Sequence, residues 1–172
     1  FALLLSGFAA LTYQVAWQRV LTQLIGSDAV SMTLVVTIFM ICLGIGSELA
    51  KYLVARSPAQ ALKLYSTIEV LVGIYGVLSI PILRGVNARL TGGSLSRDFA
   101  LNLLLLAAPI VGMGLTTPLI VHVAKQNLQN VGRTVGLLYG CNIAGAAIGS
   151  AVTGLVLIEA LGLKGSTDAA AA

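Results

Sequence analysis

The sequence predicts an all-α, polytopic bundle of about five transmembrane helices, and three observations predict it. Apolar residues make up 58% of the 172 and charged residues only 9%, with a mean hydropathy of +0.98. A soluble domain carries about 25% charged residues, so ten basic and six acidic side chains cannot wet a surface of this size. Uncharged stretches of about 20 residues recur, long enough to cross the hydrocarbon at about 1.5 Å per residue. The apolar runs are continuous, whereas the strands of a membrane barrel would alternate; barrels and helices are the two architectures whose backbones are satisfied in lipid. The same balance excludes a disordered chain, a DNA-binding module and a disulfide-stapled secreted domain. Cys42 and Cys141 both lie in apolar runs and read as small buried hydrophobes.

The first span runs from Phe1 to about Leu24. Neither a methionine nor a basic stretch precedes Phe1, so further residues upstream are expected. Tyr13 and Trp17 read as interface anchors, with Tyr65 a third, and Arg19, after Gln14 and Gln18, can snorkel. Gly26-Ser27-Asp28 forms a tight turn into the second span, about Ala29 to Ala50, which is uncharged until Glu48. Lys51 to Ala61, with Arg56, Ser57 and Pro58, reads as a polar loop. The third span, about Leu62 to Leu83, contains Glu69; Arg84 to Asp98, with Gly92-Gly93-Ser94, is the longest loop. The fourth span covers about Phe99 to Val123, with His122 at its end as an interfacial hydrogen-bonding residue. Lys125 to Arg133 is a short polar link with Gln126, Asn127, Gln129 and Asn130. The fifth span, about Thr134 to Ile158, carries no charge. The transmembrane domain is taken as residues 1–167, and 168–172, ending in four alanines, as an unassigned or truncated tail near which a sixth span is able to begin.

Basic residues set the orientation weakly. Lys51, Arg56, Lys63, Lys125 and Arg133 lie on one side, Arg84, Arg89, Arg97 and Lys164 on the other. The small excess places the first set in the cytoplasm.

Small residues recur at helix-packing spacing. Gly136, Gly140 and Ala144 form one stripe of the fifth span, and Cys141, Gly145, Gly149 and Thr153 its neighbour. Residues four apart share a face, and small ones let membrane helices approach closely. Gly44, Gly46 and Ser47 suit the same role in span two. Gly112 and Gly114 precede Thr116-Thr117-Pro118; Pro118 lacks an amide donor and is expected to kink its helix. A packing role and a hinge beside a binding site both remain open for these glycines.

Charges inside spans are expensive. Glu69 needs a partner, and an ion pair with Arg19 or Lys63 is the structural expectation; a substrate or proton site is the functional one. Asn142, in an apolar helix, is placed to bridge to another helix. The candidate functional polar residues are therefore Gln14, Arg19, Glu48, Glu69, His122 and Asn142. A lone histidine excludes a histidine metal site or haem pair within this chain, and no CxxC, phosphate-binding loop or dinucleotide fingerprint is present. No catalytic residue, cofactor or metal is assigned.

Leu5 to Arg19 (LSGFAALTYQVAWQR) resembles the opening helix of the membrane domain of the spermidine synthase-like membrane proteins, often described as fused major-facilitator-like and spermidine synthase proteins. Phe39 to Ala50, Leu64 to Glu69 with Gly73, Tyr75 and Gly76, and Pro109 to Leu119 are similar to the helices that follow. Gly132-Arg133 with Gly136, Leu138-Tyr139-Gly140, Asn142, Gly145, Ala146 and Gly149 resembles the fifth, and Leu161 to Gly165 the loop before a sixth. The resemblance covers nearly the whole chain and implies a major-facilitator-like helix pattern. In the family this part is commonly joined to an aminopropyltransferase-like domain that would bind decarboxylated AdoMet and a polyamine; no such domain lies within these residues.

Three functions follow as expectations. The first is a non-catalytic multi-pass subunit or membrane domain of the cytoplasmic membrane of a prokaryote, anchoring other membrane subunits or forming a homo-oligomer in the bilayer, with no nucleic-acid partner. The second is a transporter-type module for polyamines or other small cations, using Glu69 and Glu48. The third is the membrane part of a larger aminopropyltransferase whose soluble domain lies beyond Ala172.

Overall fold

The computed structural model describes residues 1–25, 28–53, 58–90, 94–125 and 131–172. Among the described residues all regular structure is helical: α1 (Ala2–Ile25), α2 (Asp28–Leu53), α3 (Pro58–Leu90), α4 (Leu95–Lys125), α5 (Val131–Val152), a π-helical turn (Thr153–Leu157) and α6 (Ile158–Ala171). A helix satisfies its own backbone in lipid, and each apolar run is long enough to do so across the bilayer. Four segments are long and apolar enough to cross a membrane: Asp28–Leu53, Ala59–Arg89, Ser96–Ala124 and Val131–Ala171. α1 is long enough but carries Thr12, Tyr13, Gln14, Trp17, Gln18 and Arg19. Its polarity is tolerated because α2, α3, α5 and α6 all pack against it. The chain is thus an all-α, multi-span helix bundle of an integral membrane protein.

Side-chain pairings give the helix directions. Tyr13 meets Gly76, Trp17 meets Ser79 and Gln23 meets Arg84, so α1 and α3 run parallel. Leu4, Phe8 and Thr12 meet Gly145, Gly149 and Thr153 in the same rising order, so α1 and α5 are parallel too. Tyr75 meets the Leu105 carbonyl while Asn87 meets Asn102, so α4 runs opposite to α3. This alternation is what successive membrane crossings require.

Two expected boundaries move. The stretch Arg84 to Asp98 is largely helical: α3 continues to Leu90 and α4 begins at Leu95. Its polar residues read as loop, but Asn87 and Asn102 exchange two amide hydrogen bonds of 3.1 Å and are fully buried. Each also donates to a carbonyl of its own helix, Leu83 and Asp98. Paired amides keep both polar ends helical. The fifth span likewise does not end at Ile158. It widens into the π turn at Thr153 and reverses at Gly162, whose φ of 70° and ψ of 179° favour glycine. The remainder of α6 then packs against α1 and α3. The turn at Gly26-Ser27, Arg56 and Ser57, Gly92-Gly93 and the link 126–130 lie outside the described residues.

The core is aromatic at its centre. Tyr13 stacks on Trp17 with ring centroids 5.6 Å apart, and Trp17 also meets Phe39 and, edge-on, Tyr75. Tyr13 and Trp17 are therefore not interface anchors: they are 1% and 0% exposed. Trp17 Nε1 donates to Ser79 Oγ at 2.8 Å, and Ser79 donates on to the Gly76 carbonyl at 2.7 Å. A buried indole N–H needs such a partner.

Glycines set two close helix contacts. A Cβ at Gly145 or Gly149 would collide with the Leu4 or Phe8 backbone, and one at Gly7 with the backbone of Asn142. Gly46 and Gly114 bring α2 and α4 together in the same way. Gly136 and Gly140, expected to pack a neighbour, instead border open space, because their stripe faces away from α1. Gly44 is also open. α4 remains one helix through both Pro109 and Pro118.

Candidate functional site

Glu69 projects from α3 into the space between α1, α3 and α6. Tyr65 lies one turn earlier on the same face and hydrogen-bonds the Glu69 carboxylate. Tyr13 of α1 enters from the opposite wall through the slot left by Gly76, where a Cβ would collide with its ring. α6, turned back at Gly162, carries Asp168 to the same region, within electrostatic range of Tyr13, as Glu69 is. Lys164 holds one oxygen of Asp168, Oδ2, at 2.7 Å across one helical turn. Ser166 and Thr167, both buried, donate to the Gly162 and Lys164 carbonyls and fix this short segment.

Among the described residues, three enclosed side-chain oxygens have no hydrogen-bond partner: Tyr13 Oη, Glu69 Oε1 and Asp168 Oδ1. Leaving a buried polar group unpaired costs about 1–3 kcal/mol. Tyr13 and Glu69 face a cavity of about 670 Å³, walled by Tyr65, Ser66, Gly73 and aliphatic side chains. A guest with donor hydrogens or positive charge gains at this position, whereas an anion meets a carboxylate. A cavity of about 740 Å³ between α2 and α4, lined by Ala29, Leu34, Thr37 and Phe99, has no ionisable side chain in its wall.

The other candidate residues are dispersed. Neither Arg19 nor Lys63 pairs with Glu69; both are exposed, and ion pairs instead join Lys51 to Glu48 and Lys164 to Asp168. Glu48 pairs with the exposed Lys51 one turn on and does not line the cavity beside Glu69. Gln14 is half-buried beside Tyr13, and His122 is half-buried near the end of α4. Asn142 and Pro118 share a smaller cavity of about 200 Å³ with Ser47, Thr117 and Tyr139. Cys42 is buried against the aromatic core, and Cys141 is half-buried; both are free thiols. Among the described residues no group of three His, Cys, Asp or Glu is placed to hold a metal ion.

Tyr13, Tyr65 and Asp168 are the members of the Glu69 site that sequence reasoning missed. The four-residue spacing of Tyr65 and Glu69 was a readable signal. Tyr13 and Asp168 carried none, since only the packing of α1 and the reversal at Gly162 bring them there. The chain matches no protein-family profile, no curated protein and no solved structure.

Proposed function

We propose that this chain is the membrane domain of a spermidine synthase-like protein and acts as a non-catalytic anchor or scaffold that holds a partner in a membrane complex. The family assignment rests on the helix-by-helix resemblance of the sequence. The observation that supports scaffolding is an unfilled packing face on α5. Gly145 and Gly149 seat one side of that helix directly on the α1 backbone, while Gly136 and Gly140 have nothing within 4 Å. Exposed Leu137, Tyr139 and Ile143 flank the open glycines. Lipid tails give membrane helices no hydrophobic reason to associate, so a small-residue groove gains most from the close approach of another helix. On this reading the helix pattern is major-facilitator-like, the protein lies in the cytoplasmic membrane of a prokaryote, and Lys51, Arg56, Lys63, Lys125 and Arg133 mark the cytoplasmic side.

The test is intact mass of the protein in a mild neutral detergent, native and then denatured. A native mass above the denatured mass is expected. Gly140→Leu, at an open position, should return the native mass to the denatured value with helix content unchanged. A wild-type native mass equal to the denatured one overturns the scaffold reading. A denatured mass far above 17.7 kDa would favour the membrane part of a larger aminopropyltransferase.

A further inference from the structure

We propose that the cavity where α1, α2, α4 and α5 meet binds a small uncharged hydroxyl compound, of the size of a diol or triol, through Ser6, Ser47, Thr117, Tyr139 and Asn142. All five residues stand in the wall of this cavity of about 200 Å³. Elsewhere in the bundle helix hydroxyls are returned to a carbonyl one turn back, as Thr12 is to Phe8 and Thr67 to Lys63. The side chains of these five have no hydrogen-bond partner among the described residues. Their polar atoms stay open to a guest, unlike the sealed oxygens of Tyr13 and Glu69. A backbone carbonyl joins them. Pro118 has no N–H to return to the carbonyl four residues back, that of Gly114, and both residues line the cavity. Pro109 leaves the same gap at Leu105, and there Tyr75 fills it, donating its hydroxyl to the Leu105 carbonyl at 2.8 Å. No side chain among the described residues does this for Gly114.

The chemistry of the wall selects the guest. It holds no carboxylate, amine, guanidinium or imidazole, so an ion entering it loses water without gaining a counter-charge. A hydroxyl both donates and accepts, as do the serine, threonine and tyrosine hydroxyls and the two ends of the Asn142 amide. The Gly114 carbonyl takes a further donor. Leu11, Phe39 and Met113 give the carbon chain of the guest an apolar surface. Ligand cavities usually begin at about 300 Å³, so this one admits a body of few heavy atoms. Phe39 and Met113 are buried and form the floor, whereas Ser47 and Tyr139 are exposed and form the rim. Ser47 stands one turn from Lys51, whose exposed pair with Glu48 marks the polar end of α2, so a dissolved guest reaches the rim from water. Gly7 seats Asn142 here, since a Cβ on it would lie 3.0 Å from Asn142 Oδ1. The proposal does not rest on the scaffold reading: it concerns a pocket within one chain, and scaffolding concerns the outer glycines of α5. Tyr139 borders both and is left unchanged in the test.

The experiment titrates glycerol into the full protein in phosphatidylcholine nanodiscs, whose lipid carries no free hydroxyl to compete. Saturation-transfer NMR on the glycerol protons reads binding, with empty nanodiscs subtracted. A saturable signal is expected, and neither propylammonium nor propionate, similar in size but charged, should displace it. Thr117→Val, nearly isosteric, removes one hydroxyl and should weaken binding about two- to tenfold, the range for one lost neutral hydrogen bond. Asn142→Leu removes a donor and an acceptor and should weaken it further. Thr33→Val, on α2 outside this cavity, should bind as wild type does. Circular dichroism checks the helix content of each variant, and Ser47→Ala, at the exposed rim, replaces Asn142→Leu should that variant fail to fold. No saturable signal with wild type means that the cavity holds water only and overturns the proposal. So does an affinity of Thr117→Val or Asn142→Leu equal to wild type, or displacement of glycerol by either ion.

Discussion

Replacing Gly149 by alanine adds one methyl group and should separate two helices. The new Cβ would lie 2.8 Å from Phe8 Cα, besides striking the Phe8 carbonyl, whereas carbon atoms pack best at about 3.5–4.0 Å. Backbone atoms cannot rotate aside, so α1 and α5 must part by about 1 Å. One turn further along, Thr153 Oγ1 donates to Thr12 Oγ1 at 2.9 Å, with both residues fully buried. A shift of that size breaks this bond. Overpacking of this kind costs about 1–3 kcal/mol, and an interhelical hydrogen bond in a membrane is worth about 0.6 kcal/mol. Gly44→Ala is the matched control: it adds the same methyl in the interior of α2, in open space and off the α5 face, and gains the same helix propensity. The difference between the two variants then isolates the contact, at about 1.5–3.5 kcal/mol, or roughly 10- to 300-fold in the unfolding constant. Unfolding in mixed micelles of a maltoside and dodecyl sulfate, followed by circular dichroism, measures it. Equal stability of the two variants would refute the backbone-to-backbone contact between α1 and α5.

Three further outcomes follow from the same packing. Trp17→Phe keeps most of the ring contacts but removes the donor to Ser79, and should lower stability by about 1 kcal/mol in the same unfolding assay. Asn87→Leu leaves the buried Asn102 amide short of its partner and should cost about 1–3 kcal/mol; adding Asn102→Leu should recover part of that loss, seen as a favourable coupling in a double-mutant cycle. Glu48→Gln breaks only the Lys51 pair, in which both side chains are more than half exposed, so thermal melting should show a change within about 0.5 kcal/mol.

Composition and run length alone determined that this chain is a helical, multi-span membrane protein. An apolar stretch of this length has few other ways to satisfy its backbone in lipid, so class and approximate span positions are local properties. Glu69 was legible for the same reason, because one carboxylate in an apolar helix stands out whatever surrounds it. The glycine stripes of α5 were legible as packing elements, yet nothing local told Gly145 from Gly140; the direction in which α1 lies did. Polarity misled at Tyr13 and Trp17, which read as interfacial, and at Asn87, which read as loop. Trp17 and Asn87 are polar where lipid would penalise it and acceptable where another helix supplies the partner, as Ser79 and Asn102 do, while Tyr13 is held by stacking on Trp17. Tertiary structure alone decided the site around Glu69. Its other members come from α1 and from α6 after the reversal at Gly162, and contacts between residues far apart in the chain depend on helix packing that no single segment encodes.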